Sequence, residues 1–196
     1  MSNVITVNTD NFRCVDNAWV FGMDNAIKGS KYPMLTDVSK ATSERTQTVD
    51  KLATCRTGEG HDNFLNGVLV QFDLNLTIKA WVEAERYHFL DFISSQSTMH
   101  RIAQMEIRKC CNEYVTERAI ENVEELLSIY RESGDSEDYL RLLYNIPAGF
   151  ILTAKMTTNY RQLKTIYQQR KTHKLTGWRE FCKWLETMPN AHFITR

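Results

Sequence analysis

Four charged or ionisable side chains lie close together in the stretch EAERYHFLDF. Glu83, Glu85, Arg86 and His88 fall within about two helical turns of one another. An arginine offers phosphate a planar fork of donors, and a histidine offers a donor beside a ring or a pyrophosphate. The stretch therefore suits either a phosphate or flavin pocket, or a salt bridge without chemistry, and taken alone it favours the salt bridge.

Short hydroxyl side chains follow directly, in ISSQSTMHR from Ile93 to Arg101. Such side chains cap helix N-termini, and a helix N-terminus also attracts an anion through its free N–H groups. Composition alone favours capping over binding. The position of the stretch directly after Arg86 and His88 strengthens the binding interpretation.

The stretch NYRQLKTIYQQR carries an apolar stripe with polar ends. At 3.6 residues per turn, Asn159, Leu163, Ile166 and Arg170 share one face of a helix. Its amide and guanidinium ends lie about 16 Å apart along the axis, a span closer to an extended cofactor or nucleotide than to a local side-chain pair. Taken locally, an ordinary solvent-facing helix is the simpler explanation.

Other kinds of site receive little support. The glycine-rich TGEGHDN lacks the lysine of a Walker loop and the third glycine of the dinucleotide fingerprint. His61 with Cys55 or Asp62 has no second cluster at metal-ligand spacing, so no metal is expected. Cys110 and Cys111 have no evident basic partner, and no Gly-x-Ser-x-Gly elbow marks a hydrolase.

The composition is that of an ordinary globular chain of 196 residues, with 24 basic and 24 acidic side chains. A formal net charge of zero argues against nonspecific binding to nucleic acid or an anionic membrane. The five cysteines contain no Cys-x-x-Cys pair and are expected to be reduced. Without an expected signal peptide or apolar span, the sequence predicts a soluble cytoplasmic protein.

The elements that must hold these residues are mostly helices. The alternating run GVLVQFDLNL predicts a strand buried on one face, and the run after Thr77 switches to helical spacing. There, the predicted apolar stripe comprises Ile78, Trp81, Val82, Phe89 and Phe92, interrupted by Glu85. The other predicted elements are a strand over Asn3–Asn8, a polar helix from Thr36 to about Cys55, helices over about Met99–Tyr114, Thr116–Glu132 and Ser136–Tyr144, a long helix from Pro147 to Lys171 and a helix over about Thr176–Met188. Too few strands remain for a βαβ series, so the class is α+β: a helix-rich single domain over residues 1–196 with a small, mainly antiparallel sheet.

Three features together resemble one family. They are ERYHFLDFISSQSTMHR after a strand, the pair Gly60-His61 ahead of it, and IPAGFILTAKMTTNYRQLKTIYQQR. This arrangement resembles the flavin-dependent thymidylate synthases, also described as thymidylate synthase-complementing proteins, from about Gly60 to Met188.

The C-terminal motif of the family is matched without a gap. Pro147, Asn159, Arg161, Leu163 and Arg170 stand at the family's spacing. The resemblance implies that Asn159 and Arg161 contact the flavin and that Arg170 holds the phosphate of the nucleotide substrate.

The family's signature, Arg-His-Arg followed by Ser-x-Arg-Tyr, is altered. Arg86-Tyr87-His88 replaces the first part, and Gln96 stands at the serine register between Ser95 and Ser97. The resemblance implies flavin contacts for His61, Arg86 and His88 and substrate contacts for Ser95, Gln96, Ser97 and Arg101. Two further family positions also differ. Glu83 stands where the family has a glutamine, and Thr153 stands where it has an arginine. Either the ligand differs, or Lys155, His100 and Arg101 compensate for the missing contacts.

The resemblance implies an enzyme that converts dUMP to dTMP. Methylenetetrahydrofolate would supply the carbon, reduced FAD the hydride, and NADPH the reducing equivalents, in a homotetramer with sites between subunits. No protein side chain is expected as the catalytic group, because the flavin performs the redox chemistry. The alternatives are a relative that modifies another pyrimidine nucleotide, a relative that only binds nucleotide, and a helical protein without a ligand.

Overall fold

The computed structural model describes residues 4–56 and 58–196. Asn3, at the start of the first predicted strand, and Thr57, within the glycine-rich stretch, lie outside the described residues.

Five strands and ten α-helices make up the described chain, with short 3-10 turns between some of them. The strands are β1 Ile5–Val7, β2 Val15–Phe21, β3 Leu69–Thr77, β4 Asp91–Ser95 and β5 Ile151–Asn159. The helices are α1 Met23–Ser30, α2 Gln47–Ala53, α3 Ile78–Ala84, α4 Thr98–Arg101, α5 Ile107–Cys110, α6 Glu117–Ser133, α7 Ser136–Tyr144, α8 Tyr160–Arg170, α9 Thr176–Leu185 and α10 His192–Thr195. The predicted α+β class is confirmed. No helix in the described ranges is long and apolar enough to cross a membrane.

One sheet contains all five strands in the order β1-β2-β3-β5-β4. The pairs β1–β2 and β2–β3 are antiparallel. The register of β3 and β5 follows from two flanking bonds: Tyr160 N donates to Val68 O at 3.0 Å, and Ile78 N donates to Phe150 O at 2.9 Å. Since the partner numbers run in opposite directions, this pair is antiparallel as well.

The chain divides into two compact units. The first comprises residues 1–74, 87–93 and 155–196. Its core packs one face of β3 against α9: the Phe72 ring lies 5.6 Å from that of Phe181 and 5.3 Å from that of Trp184.

The second unit comprises residues 75–86 and 94–154. Its core is an aliphatic cluster around α6, closed by Phe150. The buried members are Ile102, Ile107, Ile120, Val123, Leu127, Leu142 and Phe150. Thr77 caps α3 directly after β3, because its hydroxyl accepts a hydrogen bond from Ala80 N.

Several predicted elements are confirmed. β3 is a strand with alternate residues Val70, Phe72, Leu74 and Leu76 buried. β1, α6, α7 and α9 fall where pattern and caps predict them, with Thr116 capping α6 and Gly134 ending it at a φ of 63°.

The predicted long helix from Pro147 to Lys171 is wrong in its first half. Residues Ile151–Asn159 form β5, and only Tyr160–Arg170 are helical. Ala154, Met156 and Thr158 are buried while the residues between them are half-buried. That period of two, in a run rich in threonine, identifies a strand.

The predicted helix through FLDFI is also wrong. α3 ends at Ala84, and Asp91–Ser95 form β4. Val82, Phe89 and Phe92 are exposed, so the predicted apolar stripe does not exist. Glu85 is exposed as well, so its charge does not face a core.

Two further predicted helices are shorter than expected. Between Thr36 and Cys55 the α-helix begins only after Thr46, whose side chain accepts from Val49 N. In place of the helix predicted over Met99–Tyr114, the chain forms two four-residue α-helices, α4 and α5, with a 3-10 turn after the first. Ile102 and Ile107 are both buried there, and a spacing of five would place them about 140° apart on one continuous helix.

Candidate functional site

Arg161, a predicted flavin contact, lies beside a buried carboxylate in the first unit. Its Nε donates to Asp62 Oδ1 at 3.2 Å. The Asp62 side chain is 3% exposed, whereas that of Arg161 is 37% exposed. Within the described residues the two terminal amino groups of Arg161 have no partner, so they remain available to an anion.

His61 precedes Asp62 and is exposed on the wall of a cavity of about 1160 Å³ in the first unit. Apolar side chains such as Met34, Val49 and Phe64 line much of this cavity. A space of this size accommodates a cofactor-sized ligand, since ligand pockets are about 300–1,000 Å³. Of the five predicted cofactor contacts, His61 is the one that lines it.

Asn159 ends β5 and caps α8 rather than lying on the helix itself. Its Oδ1 accepts from Gln162 N at 2.8 Å, and the residue is 8% exposed. The capping bond occupies the amide oxygen, so the amide nitrogen is the group that remains for a ligand.

Arg170, the predicted phosphate contact, is buried at the end of α8 in the first unit. Its Nε donates to Tyr87 Oη at 2.7 Å, and Tyr87 Oη lies 3.0 Å from Gln169 Oε1. The guanidinium carbon is 5.5 Å from the centre of the Tyr87 ring and 5.1 Å from that of Trp178. Arg161 and Arg170, nine residues apart, face opposite sides of α8, about 180° around the axis.

Gln96, a predicted substrate contact, bonds to β5 within the second unit. Its backbone N donates to Thr153 O at 2.9 Å, and its side-chain Oε1 accepts from Thr153 N at 2.8 Å. The Thr153 hydroxyl lies 2.7 Å from Asn75 Oδ1. Thr153, which stands where the family has an arginine, is therefore part of a row of uncharged hydrogen-bonding groups.

The remaining predicted contacts are largely solvent-accessible. Ser97 stands at the N-cap position of α4 but makes no capping hydrogen bond, so the capping interpretation is wrong for this residue. Ser95, Arg101 and Arg86 are exposed in the second unit, and His88 is exposed in the first.

Lys155, considered as a substitute for the missing arginine, is already paired. Its Nζ lies 3.2 Å from Asp73 Oδ1, donates to Asn17 O at 3.2 Å and lies 4.4 Å from the centre of the Trp19 ring. Asp73 balances its charge.

Four of the five cysteines do not resemble nucleophiles. Burial raises the pKa of the thiols of Cys14, Cys110 and Cys111, and burial together with the charge of Glu186 raises that of Cys182 to about 12. Groups of three or more side chains suited to hold a metal are absent from the described residues.

The pattern of the sequence did not reveal three contributors to these groups: Lys164, Asn75 and the hydroxyl of Tyr87. The sequence pattern indicates a surface position for Lys164, yet the residue is buried and its ammonium lies 3.0 Å from Asp62 Oδ2. Its one sequence signal is its place three residues after Arg161, on the same side of α8.

Comparisons with known proteins locate the fold. No protein-family profile and no curated protein matches the sequence. A crystal structure of thymidylate synthase X from Helicobacter pylori with FAD and dUMP matches with a TM-score of 0.72 and 14% identity, covering 100% of this chain and 97% of that chain. A second structure of the flavin-dependent enzyme from Helicobacter pylori, also with FAD and dUMP, matches at 0.70 and 14% identity, covering 98% and 97%.

A further match is a UMP/dUMP methylase, PolB, from Streptomyces cacaoi bound with 5-Br dUMP. Its TM-score is 0.61 at 12% identity, covering 97% of this chain and 94% of that chain. These likenesses confirm, at the level of the fold, the resemblance drawn from the sequence.

Proposed function

We propose that this chain, which has the fold of flavin-dependent thymidylate synthases, is a cytoplasmic flavoenzyme that methylates dUMP to dTMP. The observation that carries the proposal is the match over the whole chain, at a TM-score of 0.72, to an enzyme crystallised with FAD and dUMP. Methylenetetrahydrofolate is the proposed carbon donor, and NADPH the proposed reductant.

The residues present fit a flavin in the first unit. Arg161 keeps two terminal amino groups for an anionic group such as a pyrophosphate, and Asp62 fixes its orientation. His61 offers a ring on the wall of a cavity large enough for a cofactor. Asn159 and His88 complete the groups in this unit that would hold FAD.

A bound FAD would supply the redox chemistry of the reaction. The chain's own residues bind and orient the reactants. The raised thiol pKa of Cys182 leaves that cysteine protonated at neutral pH, consistent with chemistry that uses no thiolate.

Arg170 is the proposed phosphate ligand. Its guanidinium is held by the Tyr87 hydroxyl and lies near two aromatic rings, so little rotamer freedom is lost when a phosphate binds. In the second unit, the proposed substrate contacts are Ser95, Gln96, Ser97 and Arg101. Gln96 retains its amide nitrogen as a donor, because its oxygen bonds to Thr153.

A homotetramer is proposed as the functional assembly. Three apolar side chains around the start of β4 support it: Phe89 is 60% exposed, Phe92 47% and Ile93 53%. β4 is also an edge strand, and an apolar edge favours pairing with another chain.

Flavin binding tests the proposal first. Purified protein is titrated with FAD while its absorption and fluorescence are followed, and the gene is introduced into a thymidine auxotroph. The proposal predicts a saturable spectral change and rescue of growth without thymidine. Protein that neither alters the FAD spectrum nor rescues growth would refute it.

A second candidate function is modification of a different pyrimidine nucleotide, or binding without turnover. The match to a UMP/dUMP methylase favours it, as does the uncharged Thr153 where an arginine is expected. Mass spectrometry of reactions with dUMP, UMP and dCMP separates the cases. Conversion of dUMP alone supports the first candidate, and binding of dUMP with no product supports a binding protein.

A further inference from the structure

Lys164 is a buried lysine whose N–H donors all have acceptors inside the first unit. The residue is 2% exposed. Its ammonium donates to Ala53 O and Cys55 O, each at 2.8 Å, and to Asp62 Oδ2 at 3.0 Å. An ammonium has three N–H donors, so none is left for a ligand, and Lys164 can act only through its neighbours.

The acceptors of Lys164 stand at the two ends of one loop, residues 54–61, of which the structure describes all but Thr57. Ala53 and Cys55 supply carbonyls at the C-terminal end of α2, where unpaired carbonyls favour a cation. Asp62 follows the loop directly. Between these ends, Gly58 and Gly60 have φ angles of 98° and 79°, in the left-handed region that glycine adopts readily.

Asp62 connects the loop ends that Lys164 holds to the proposed flavin site. Its Oδ2 accepts from Lys164, while its Oδ1 accepts from Arg161 Nε at 3.2 Å. Its neighbours His61 and Asn63 line the cavity, whereas Asp62 itself does not. One buried carboxylate thus fixes both the cavity wall that carries His61 and the plane of the Arg161 guanidinium.

We propose that Lys164 and Asp62 are positioning residues for flavin binding. Neither is inferred to touch the ligand. Lys164 holds the ends of the 54–61 loop together and keeps Asp62 oriented, and Asp62 aims Arg161. The inference rests on the proposed function.

The rival interpretation is that the pair contributes only to stability, and an apolar replacement separates the two. Asp62→Leu combined with Lys164→Met fills the same space without charge, a change that buried ion pairs often tolerate. Positioning predicts a thermal midpoint near that of the wild type together with FAD affinity weakened at least about tenfold. Asp50→Asn with Arg45→Gln is the control, because it removes a different ion pair of the same unit, Arg45–Asp50, joined at 2.8 Å, and is expected to leave FAD affinity unchanged.

Coupling to Arg161 is the second readout. Arg161→Ala is measured in the wild-type background and in the apolar double variant. Positioning predicts a clear loss of FAD affinity in the wild type and little further loss in the double variant, because Arg161 is already misdirected there. A purely structural pair predicts the same loss in both backgrounds.

The inference is overturned if the folded double variant binds FAD as tightly as the wild type, or if the Arg161→Ala effects are equal. If the double variant does not fold, Asp62→Asn replaces it, since the amide keeps the shape and removes the charge; unchanged FAD affinity in that variant overturns the inference equally. Wild-type protein that binds no FAD refutes the proposed function instead.

Discussion

Arg170 Nε donates a hydrogen bond to Tyr87 Oη at 2.7 Å. Tyr87 is the residue at which the chain departs from the histidine of the family signature. The departure therefore supplies a hydrogen-bond acceptor for the arginine that the resemblance assigns to phosphate. This contact joins the altered signature to the matched C-terminal motif.

Tyr87→Phe tests this contact by removing the hydroxyl and keeping the ring. We expect the Kd for dUMP to rise about tenfold, since a hydrogen bond to a charged group is worth about 1.5–3 kcal/mol and its loss acts here indirectly. Calorimetric titration measures the change. FAD affinity should be unaffected, and an unchanged dUMP affinity would mean that Tyr87 does not orient Arg170.

Arg170→Ala removes the proposed phosphate ligand itself. The expected result is a dUMP Kd about 10- to 100-fold higher, with FAD binding retained. Arg170→Lys should recover only part of the affinity, because an ammonium lacks the planar fork. The control is Arg141→Ala, which removes an exposed arginine paired with Asp138 on α7; it should bind dUMP as the wild type does. Equal affinities for both alanine variants would reject the phosphate role.

Ser97→Ala tests a substrate contact in the second unit. Because the hydroxyl of Ser97 makes no capping bond, its removal should not destabilise α4. We predict an unchanged thermal midpoint and a dUMP Kd raised about fivefold to tenfold, the cost of about one hydrogen bond. Ser94→Ala, on β4, is the neighbouring control. A fall in stability without a change in affinity would show that Ser97 is structural.

Cysteine substitution tests the absence of thiolate chemistry. Burial raises the pKa of Cys110 and Cys111, so neither is expected to act as a nucleophile. The Cys110→Ser and Cys111→Ser variants should form product at the wild-type rate in a single-turnover assay. A complete loss of turnover in a variant that still folds and binds FAD would contradict this expectation.

The sequence predicted the elements whose local pattern and tertiary role agree. The alternation of β3 and the caps of α6 and α7 are local signals, and the structure confirms those elements. β5 and β4 could not be identified in this way. Ile151–Asn159 leads directly into α8, so its run has no boundary, and Asp91–Ser95 is exposed at every position, so it has no buried face.

The candidate site was predictable only where a residue acts alone. Arg161 and Arg170 stand out by type and spacing, but their partners Asp62 and Tyr87 are 99 and 83 residues away in the chain. The burial of Lys164 gave no signal, because it depends on carbonyls of the α2 end, which a one-dimensional pattern does not bring near α8. The partners that orient a ligand-binding side chain come from the tertiary fold.

Product analysis tests the central claim most directly. Purified protein is incubated with FAD, NADPH, methylenetetrahydrofolate and dUMP, and the nucleotides are analysed by mass spectrometry, with parallel reactions that omit the flavin or the folate. The account predicts dTMP in the complete reaction and unchanged dUMP when either is omitted. Unchanged dUMP in the complete reaction, from protein that binds both FAD and dUMP, would contradict it.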